Sequence, residues 1–403
     1  MWEVLIDQER IRSDFPILRT NIIYLDSAAT SLTPEPVVEK MLEFYHEYRA
    51  NVVRGVHKLS QRASEEYNAA RSKVASFLNA ESDEEVVMTR NTTEGINIVA
   101  NGLGWRRGDK IVTTLIEHHS NYIPWLRMRE RCGVDVVRPN REGLFDPDDF
   151  EGVIDDKTRL VAMVHVSNVL GVITPVEEVA KIAHEHGALV LIDGAQSVPH
   201  MRVDVQKIGC DFLAFSGHKM CAPTGSGALY IRRELLDEVE PTYIGGGTIE
   251  DVGLDHYKLA ASPRRYEAGT PAIAEAIGLG AATDYLRRIG MENVEAHDRG
   301  LIKMMYNRLM EILKVEVYGP DPRHKVGVMS FNVGDLNPHD VALSLDVSSN
   351  IMVRSGFHCA IPLMRELLHR PKGTVRASTY IYNTEEEVEK FLSAVAEISA
   401  PLT

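Results

Sequence analysis

Seven short apolar runs, separated by stretches with helical signals, most constrain what this chain can fold into. They are Val86–Thr89, Ile111–Leu115, Val134–Val137, Leu160–His165, Leu189–Ile192, Phe212–Phe215 and Ala228–Ile231. Runs this short and this uniformly apolar suit strands buried on both faces. Parallel strands need crossover connections, and helices alternate with the runs here, so the pattern predicts a mostly parallel seven-stranded α/β sheet. Thr33-Pro34 offers an N-cap and an N1 proline for a helix to about Tyr48, and Ser60 opens another to about Leu78. Thr174-Pro-Val-Glu177 reads as a capping box whose helix stops at Gly187.

From about Tyr285 a different set follows: a long amphipathic helix, strands near Val326–Val333, Ile351–Arg354 and Thr374–Ile381, and a last helix capped by Thr384 with Glu387. The 403 residues exceed the roughly 250–300 at which single cores stop growing. The expectation is a large domain over 20–284 and a smaller α+β domain built from 1–19 and 285–403. No window approaches the roughly 20 apolar residues of a membrane span. The N-terminal MWEVLIDQERIRSDF lacks a signal peptide's apolar region and cleavage site, so a cytoplasmic location is expected. A net charge of −14 without a long basic run disfavours nucleic acid and anionic membranes as partners. Cys132, Cys210, Cys221 and Cys359 are widely spaced, which points to neither a disulfide framework nor a metal site.

In open parallel sheets, ligands bind outside the carboxyl ends of the strands. There this chain places Asn91-Thr-Thr-Glu-Gly95, Glu117-His-His119, Ser167-Asn168, Asp193-Gly-Ala-Gln196 and Ser216-Gly-His-Lys219. Singly, each has a plain structural explanation: Thr92 and Thr93 can cap a helix, Asp193 a turn, and His118 can be a satisfied loop histidine. Together they supply hydroxyls and helix-terminal amides for a phosphate, a carboxylate, an imidazole and an amine. Pyridoxal phosphate (PLP) chemistry needs those parts: a lysine for a Schiff base, a carboxylate for the pyridine nitrogen and donors for the phosphate. Lys219 and Asp193 fit the first two roles.

Further segments carry a resemblance. Asp14-Phe-Pro-Ile17, Tyr24-Leu-Asp-Ser-Ala-Ala-Thr30, Arg54-Gly-Val-His57, Asn91-Thr-Thr-Glu-Gly-Ile-Asn97, Glu117-His-His119, His165-Val-Ser-Asn-Val-Leu-Gly171 and Arg376-Ala-Ser-Thr-Tyr-Ile-Tyr-Asn383 occur in order, nearly end to end. In this the chain resembles the class V aminotransferase-fold enzymes (PLP fold type I) and, among them, the SufS-like cysteine desulfurases of the short-loop group. The resemblance implies Lys219 as the Schiff-base lysine, Asp193 on the pyridinium, Gln196 on the phenolic oxygen and His118 stacked on the ring. It also implies Thr93, Ser216 and His218 at the phosphate, joined by Thr270 from the other subunit of a homodimer. Arg376 would clamp the substrate carboxylate, with Ala28, Asn168 and Arg354 also on the substrate side.

Cys359, in Val353-Arg-Ser-Gly-Phe-His-Cys-Ala-Ile-Pro362, decides the expected chemistry. Lone cysteines are usually buried and inert, which covers Cys132 and Cys210. Cys359 is bracketed by Gly356 and Pro362 in a loop, with Arg354 and His358 available to favour a thiolate. In the resembling family the matching cysteine receives sulfur from L-cysteine as a persulfide, and the short loop implies delivery to a docked acceptor or scaffold protein. Two positions depart from the family pattern: Phe357 stands where a histidine is common, and Cys221-Ala222 where Tyr-Gly is common. Cys221 is expected to be filler. The rival readings are a selenocysteine lyase, another class V PLP enzyme, or a non-catalytic PLP-binding subunit. The last usually lacks the lysine or the ring carboxylate, and both are present.

Overall fold

The computed structural model describes residues 6–402. Its larger sheet contains the seven expected strands: β1 (Val86–Thr89), β2 (Lys110–Thr114), β3 (Gly133–Val137), β4 (Thr158–Val164), β5 (Leu189–Asp193), β6 (Phe212–Ser216) and β7 (Gly227–Ile231). Their spatial order is β1-β7-β6-β5-β4-β2-β3, and only β7 runs against its neighbours. The inner strands are buried along almost their whole length, which explains why they read as apolar runs without alternation. β3 lies at one edge and alternates in exposure. Helices Thr92–Gly102 and Val176–Glu185 cross between parallel strands and pack on the sheet.

The reversal at β7 brings Gly227 to the carboxyl edge beside the start of the Thr92–Gly102 helix. A Cβ there would lie 2.6 Å from Phe215 O and 3.0 Å from Asn91 Cα, so glycine lets the helix start sit tightly against β6 and β7.

A second, antiparallel sheet follows: β8 (Val315–Tyr318), β9 (Val328–Val333), β10 (Arg354–Gly356) and β11 (Thr374–Ser378), in the order β8-β9-β11-β10. One face packs on helices Met291–Glu311 and Glu385–Ser399 through Leu301, Met305, Phe331, Val375 and Phe391. The segment after Ile23 stitches into this region, with Ile23 opposite Ile351 and Asp26 bridged to Ser378. Ile11, Phe15 and Leu18 pack instead in the core of the larger sheet with Val86, Val112 and Leu213.

Several local expectations differ from what forms. The helix expected from Ser60 spans Lys58–Phe77 and is capped by His57, whose ring accepts Ser60 N–H. Thr174 does not cap the next helix; its hydroxyl donates to Val164 O at 2.5 Å and ties down the turn after β4. The long helix expected from Tyr285 is two, Ile273–Ile289 and Met291–Glu311, divided at Gly290, whose φ of +88° suits glycine. Thr384 and Glu387 form the expected capping box. A hairpin of Ile249–Val252 and Tyr257–Leu259, mostly exposed, had no signal in the sequence.

Candidate active site

The carboxyl ends of the larger sheet open into a cavity of about 240 Å³, closed on its far side by β10, β11 and the Cys359 loop. Every residue named above as a cofactor, catalytic or substrate candidate lines it, except Thr270. Each arrives where a strand ends, because there the backbone leaves the apolar ladder and polar side chains can face a shared space.

One end is suited to a phosphate. Asn91 caps the Thr92–Gly102 helix by accepting Glu94 N–H at 3.0 Å, and the helix begins at the cavity with Thr92 and Thr93 in its lining. Thr92 N–H donates to Ser216 Oγ at 2.9 Å, and the Thr92 and Ser216 hydroxyls are 2.7 Å apart. Thr93 Oγ1 lies 2.7 Å from Ser120 Oγ. Ser120 was missed by sequence reasoning, since a serine after Glu117-His-His119 carries no pattern of its own. His218 completes this end, held neutral by burial and by Lys219, with its pKa pushed down to about 4.

In the middle stand Asp193, which is buried, and Lys219, which is half-buried. Asp193 accepts a hydrogen bond from Ala195 N–H at 2.9 Å, yet burial pushes its carboxyl pKa upward, so it lacks a full cationic partner. Burial pushes the Lys219 ammonium down to about 8, against a smaller raising effect of Asp193. His118 accepts Ser120 N–H on Nδ1 at 3.1 Å, so the neutral ring carries its proton on Nε2. Burial, then the charge of Lys219, holds its pKa down to about 3. The turn that presents His118 is fixed by Glu117, which accepts from Thr114 Oγ1, Asn121 Nδ2 and Val164 N at 2.5, 2.6 and 2.9 Å.

The other end is cationic. Arg354 and Arg376 are directly opposed on β10 and β11. Like charges in that position destabilise a sheet unless an anion is shared between them. Arg376 is 2% exposed and donates to Asn168 O and Asp26 Oδ1, both at 3.0 Å. Burial lowers its pKa to about 10. Ala28 is placed by its N–H to Ser378 Oγ at 2.9 Å and receives Gln196 Nε2 on its carbonyl at 2.8 Å.

Four buried polar atoms on cavity residues have no partner among the described residues: Asn168 Oδ1, Gln196 Oε1, His358 Nδ1 and Arg376 Nε. Unpaired groups of this kind cost roughly 1–3 kcal/mol each, and their concentration here fits a site completed by a polar ligand. Helix amides and hydroxyls, a buried carboxylate short of a cation, and a half-buried amine of low pKa suit PLP, and the guanidinium pair suits an amino-acid carboxylate.

Cys359 is exposed at the cavity mouth, whereas Cys132, Cys210 and Cys221 are buried. Burial pushes the Cys221 thiol far up, and that residue packs behind the site with its N–H on Ser31 Oγ, as filler. Two successive residues, His358 and Cys359, have φ of +51° and +57°. Each such non-glycine residue costs about 1–2 kcal/mol, so the loop is held by its surroundings. His358 does not supply a cation to the thiol: its Nε2 lies 3.0 Å from Thr374 Oγ1, and burial holds the ring neutral. Phe357 packs against the apolar cluster that holds Ile116, Leu170, Leu363 and Met364, an apolar use that accounts for the missing histidine.

Thr270 lies elsewhere, in surface grooves lined also by Tyr67 and Glu267. Glu267 anchors its loop through a buried pair with Arg71 at 2.6 Å.

Comparison with known proteins places the chain in a family. The Aminotransferase class-V family model matches residues 23–391. The chain belongs to the class-V aminotransferase family. Within that family it is 48% identical over 400 residues to a probable cysteine desulfurase of Methanothermobacter thermautotrophicus, covering 98% of this chain and 99% of the relative. The apo structure of a cysteine desulfurase from Thermococcus onnurineus superimposes with a TM-score of 0.94 at 51% identity, over the full length of both chains. A structure of a C-DES lysine-to-alanine mutant, with glycine covalently linked to its PLP cofactor, gives a TM-score of 0.83 at 25% identity, covering 96% of this chain and 99% of that one. The class-V fold accounts for the mostly parallel sheet and for PLP as the cofactor.

Proposed function

We propose that this chain is a PLP-dependent cysteine desulfurase that converts L-cysteine to L-alanine and takes the sulfur onto Cys359 as a persulfide. The observation that carries the reading is Cys359, an exposed thiol on the wall of the cavity that also holds Lys219, Asp193 and the two guanidiniums. A lyase for selenocysteine, or an aminotransferase, has no need of a thiol there.

When bound, PLP acts as an electron sink that allows bonds at Cα and Cβ of the amino acid to break. The protein does the rest. Lys219 would hold the cofactor, and its amine, with its lowered pKa, would be placed to take the Cα proton. Asp193 would keep the ring nitrogen protonated, Gln196 would meet the phenolic oxygen, and Thr93, Ser216 and His218 would hold the phosphate. Arg376, with Ala28, Asn168 and Arg354, orients the substrate carboxylate. His118 would lie against the ring, with its Nε2–H available to move a proton at the substrate. The Cys359 thiolate attacks the substrate sulfur; the S–S bond forms as the Cβ–S bond breaks, and protonation of the carbon skeleton gives alanine.

Thr270 completes the phosphate site from a second copy of the chain, which makes the enzyme a two-fold homodimer with shared sites. Its distance from the Lys219 cavity of its own chain supports this. The same reading divides the chain into a PLP-binding unit, 20–284, and a smaller unit, 1–19 with 285–403; the separate core of the second sheet supports the division at 285–403, while Ile11, Phe15 and Leu18 pack with the larger unit. Among the described residues no helix is long and apolar enough to cross a membrane. We place the enzyme in the cytoplasm, where it passes sulfur to a docked acceptor or scaffold protein.

Cys359→Ala tests the proposal. With L-cysteine it should still change the cofactor absorbance, yet release almost no alanine and carry no persulfide by mass. Undiminished alanine release would refute the sulfur-acceptor role. Mixed Lys219→Ala and Thr270→Val subunits should regain activity if sites are shared; no recovery despite proven exchange would place each site in one chain.

A further inference from the structure

The loop that carries Cys359 is clasped by a residue outside the cavity. His119 follows the ring-stacking candidate His118, and its main-chain N–H donates to Cys359 O at 2.7 Å. Its side chain returns to the same loop, where Nε2 accepts Ile361 N–H at 3.1 Å. Ile361 begins the Ile361–Glu366 helix, whose N-cap is Ala360, so no capping side chain satisfies the first helical amide. His119 provides that cap from a segment 242 residues away. The two bonds flank Ala360 and pin the exit of the strained His358–Cys359 pair, while Asn168 Nδ2 holds His358 O at 2.7 Å on the entry side.

We propose that His119 is a positioning residue for the sulfur-accepting thiol: it caps the helix after Cys359 and thereby ties the acceptor loop to the turn that presents His118. The inference rests on the reading of Cys359 as sulfur acceptor. It explains how two left-handed residues persist in a loop whose thiol is exposed while His358 and Ala360 are buried. His119 needs its ring neutral with Nε2 unprotonated, which its half-buried site favours.

The test compares holoenzyme carrying His119→Leu, which removes the acceptor, with His119→Gln, whose side-chain oxygen can reach the same amide. Three quantities are read: the rate of cofactor absorbance change on adding L-cysteine, single-turnover persulfide formation on Cys359 by mass, and hydrogen exchange of peptides covering 357–364. His119→Leu should leave the absorbance change intact, slow persulfide formation about tenfold, roughly the effect of one hydrogen bond, and speed exchange in 357–364 alone. His119→Gln should recover most of both losses. Persulfide formation at the wild-type rate in His119→Leu overturns the proposal, as does equal slowing of the absorbance change or no rescue by glutamine. Failure of the underlying reading is separate: in Cys359→Ala with His119 intact, it would appear as undiminished alanine release.

Discussion

Replacing Arg376 with lysine keeps the positive charge and removes the planar fork. Arg376 already spends two N–H groups on Asn168 O and Asp26, and it keeps Nε–H unpaired in the cavity. A substrate carboxylate engaged by two of its remaining donors would gain about 1.5–3 kcal/mol from each charge-assisted bond. Lysine retains the charge and about half of that interaction, leaving a loss of about 1.5–3 kcal/mol, or roughly 12- to 150-fold in substrate affinity. The loss should fall on KM for L-cysteine, with kcat within about threefold, because the clamp acts alike on ground and transition states. Initial rates of alanine release give both constants. Cysteamine, which has the amine and the thiol but no carboxylate, is the control: its cofactor absorbance change should be the same in both proteins. A KM shift below threefold, or an equal loss with cysteamine, would refute the assignment of Arg376 as the carboxylate clamp.

Capture of PLP by the apoprotein should quicken as pH rises through about 8, since a Schiff base needs the neutral amine and Lys219 has its pKa lowered to that value; a midpoint near 10, measured by stopped-flow absorbance, would contradict its burial. Asp193→Asn should retain PLP through the phosphate contacts but lose roughly a hundredfold or more in kcat, because the amide cannot hold the ring nitrogen protonated; kcat near wild type would remove Asp193 from that role. Glu267→Gln leaves the Arg71 charge buried without its partner and should destabilise the protein by about 3–5 kcal/mol, read as a lower denaturant midpoint. An unchanged midpoint would mean that water reaches Arg71.

The inner strands of the large sheet were legible because strands buried on both faces are apolar throughout, whereas the edge strand β3 alternates in exposure. Lys219, Asp193 and Cys359 stood out because each follows or sits in a segment where a plain structural role explains less than a chemical one. The exposed 249–259 hairpin was not legible: its side chains face outward, and neither alternation nor an apolar run marks it. Helix starts were misassigned where a side chain had a better partner in three dimensions, as with Thr174, whose hydroxyl goes to Val164 O. Asp26 and His119 escaped notice for the same reason, since their contacts join segments more than 200 residues apart. His358 was read as a cation for the thiol, but its ring turns to Thr374, a partner that only the pairing of β10 with β11 brings near.

The spread of the site along the chain also sets an order in which it can come into being. The residues proposed to hold PLP within one chain lie between Thr93 and Lys219, on adjoining strands and the turns that follow them. Arg376 and Cys359 belong to the last part of the chain, and Arg376 must cross back to Asp26 and Asn168 before it is fixed. During synthesis, the groove for the cofactor can therefore form while the final strand and helix are still within the ribosome. The grip on the amino acid cannot. A nascent chain that met PLP early would hold it without being able to position cysteine, so the reactive cofactor edge stays silent until the C-terminal strand has threaded into place.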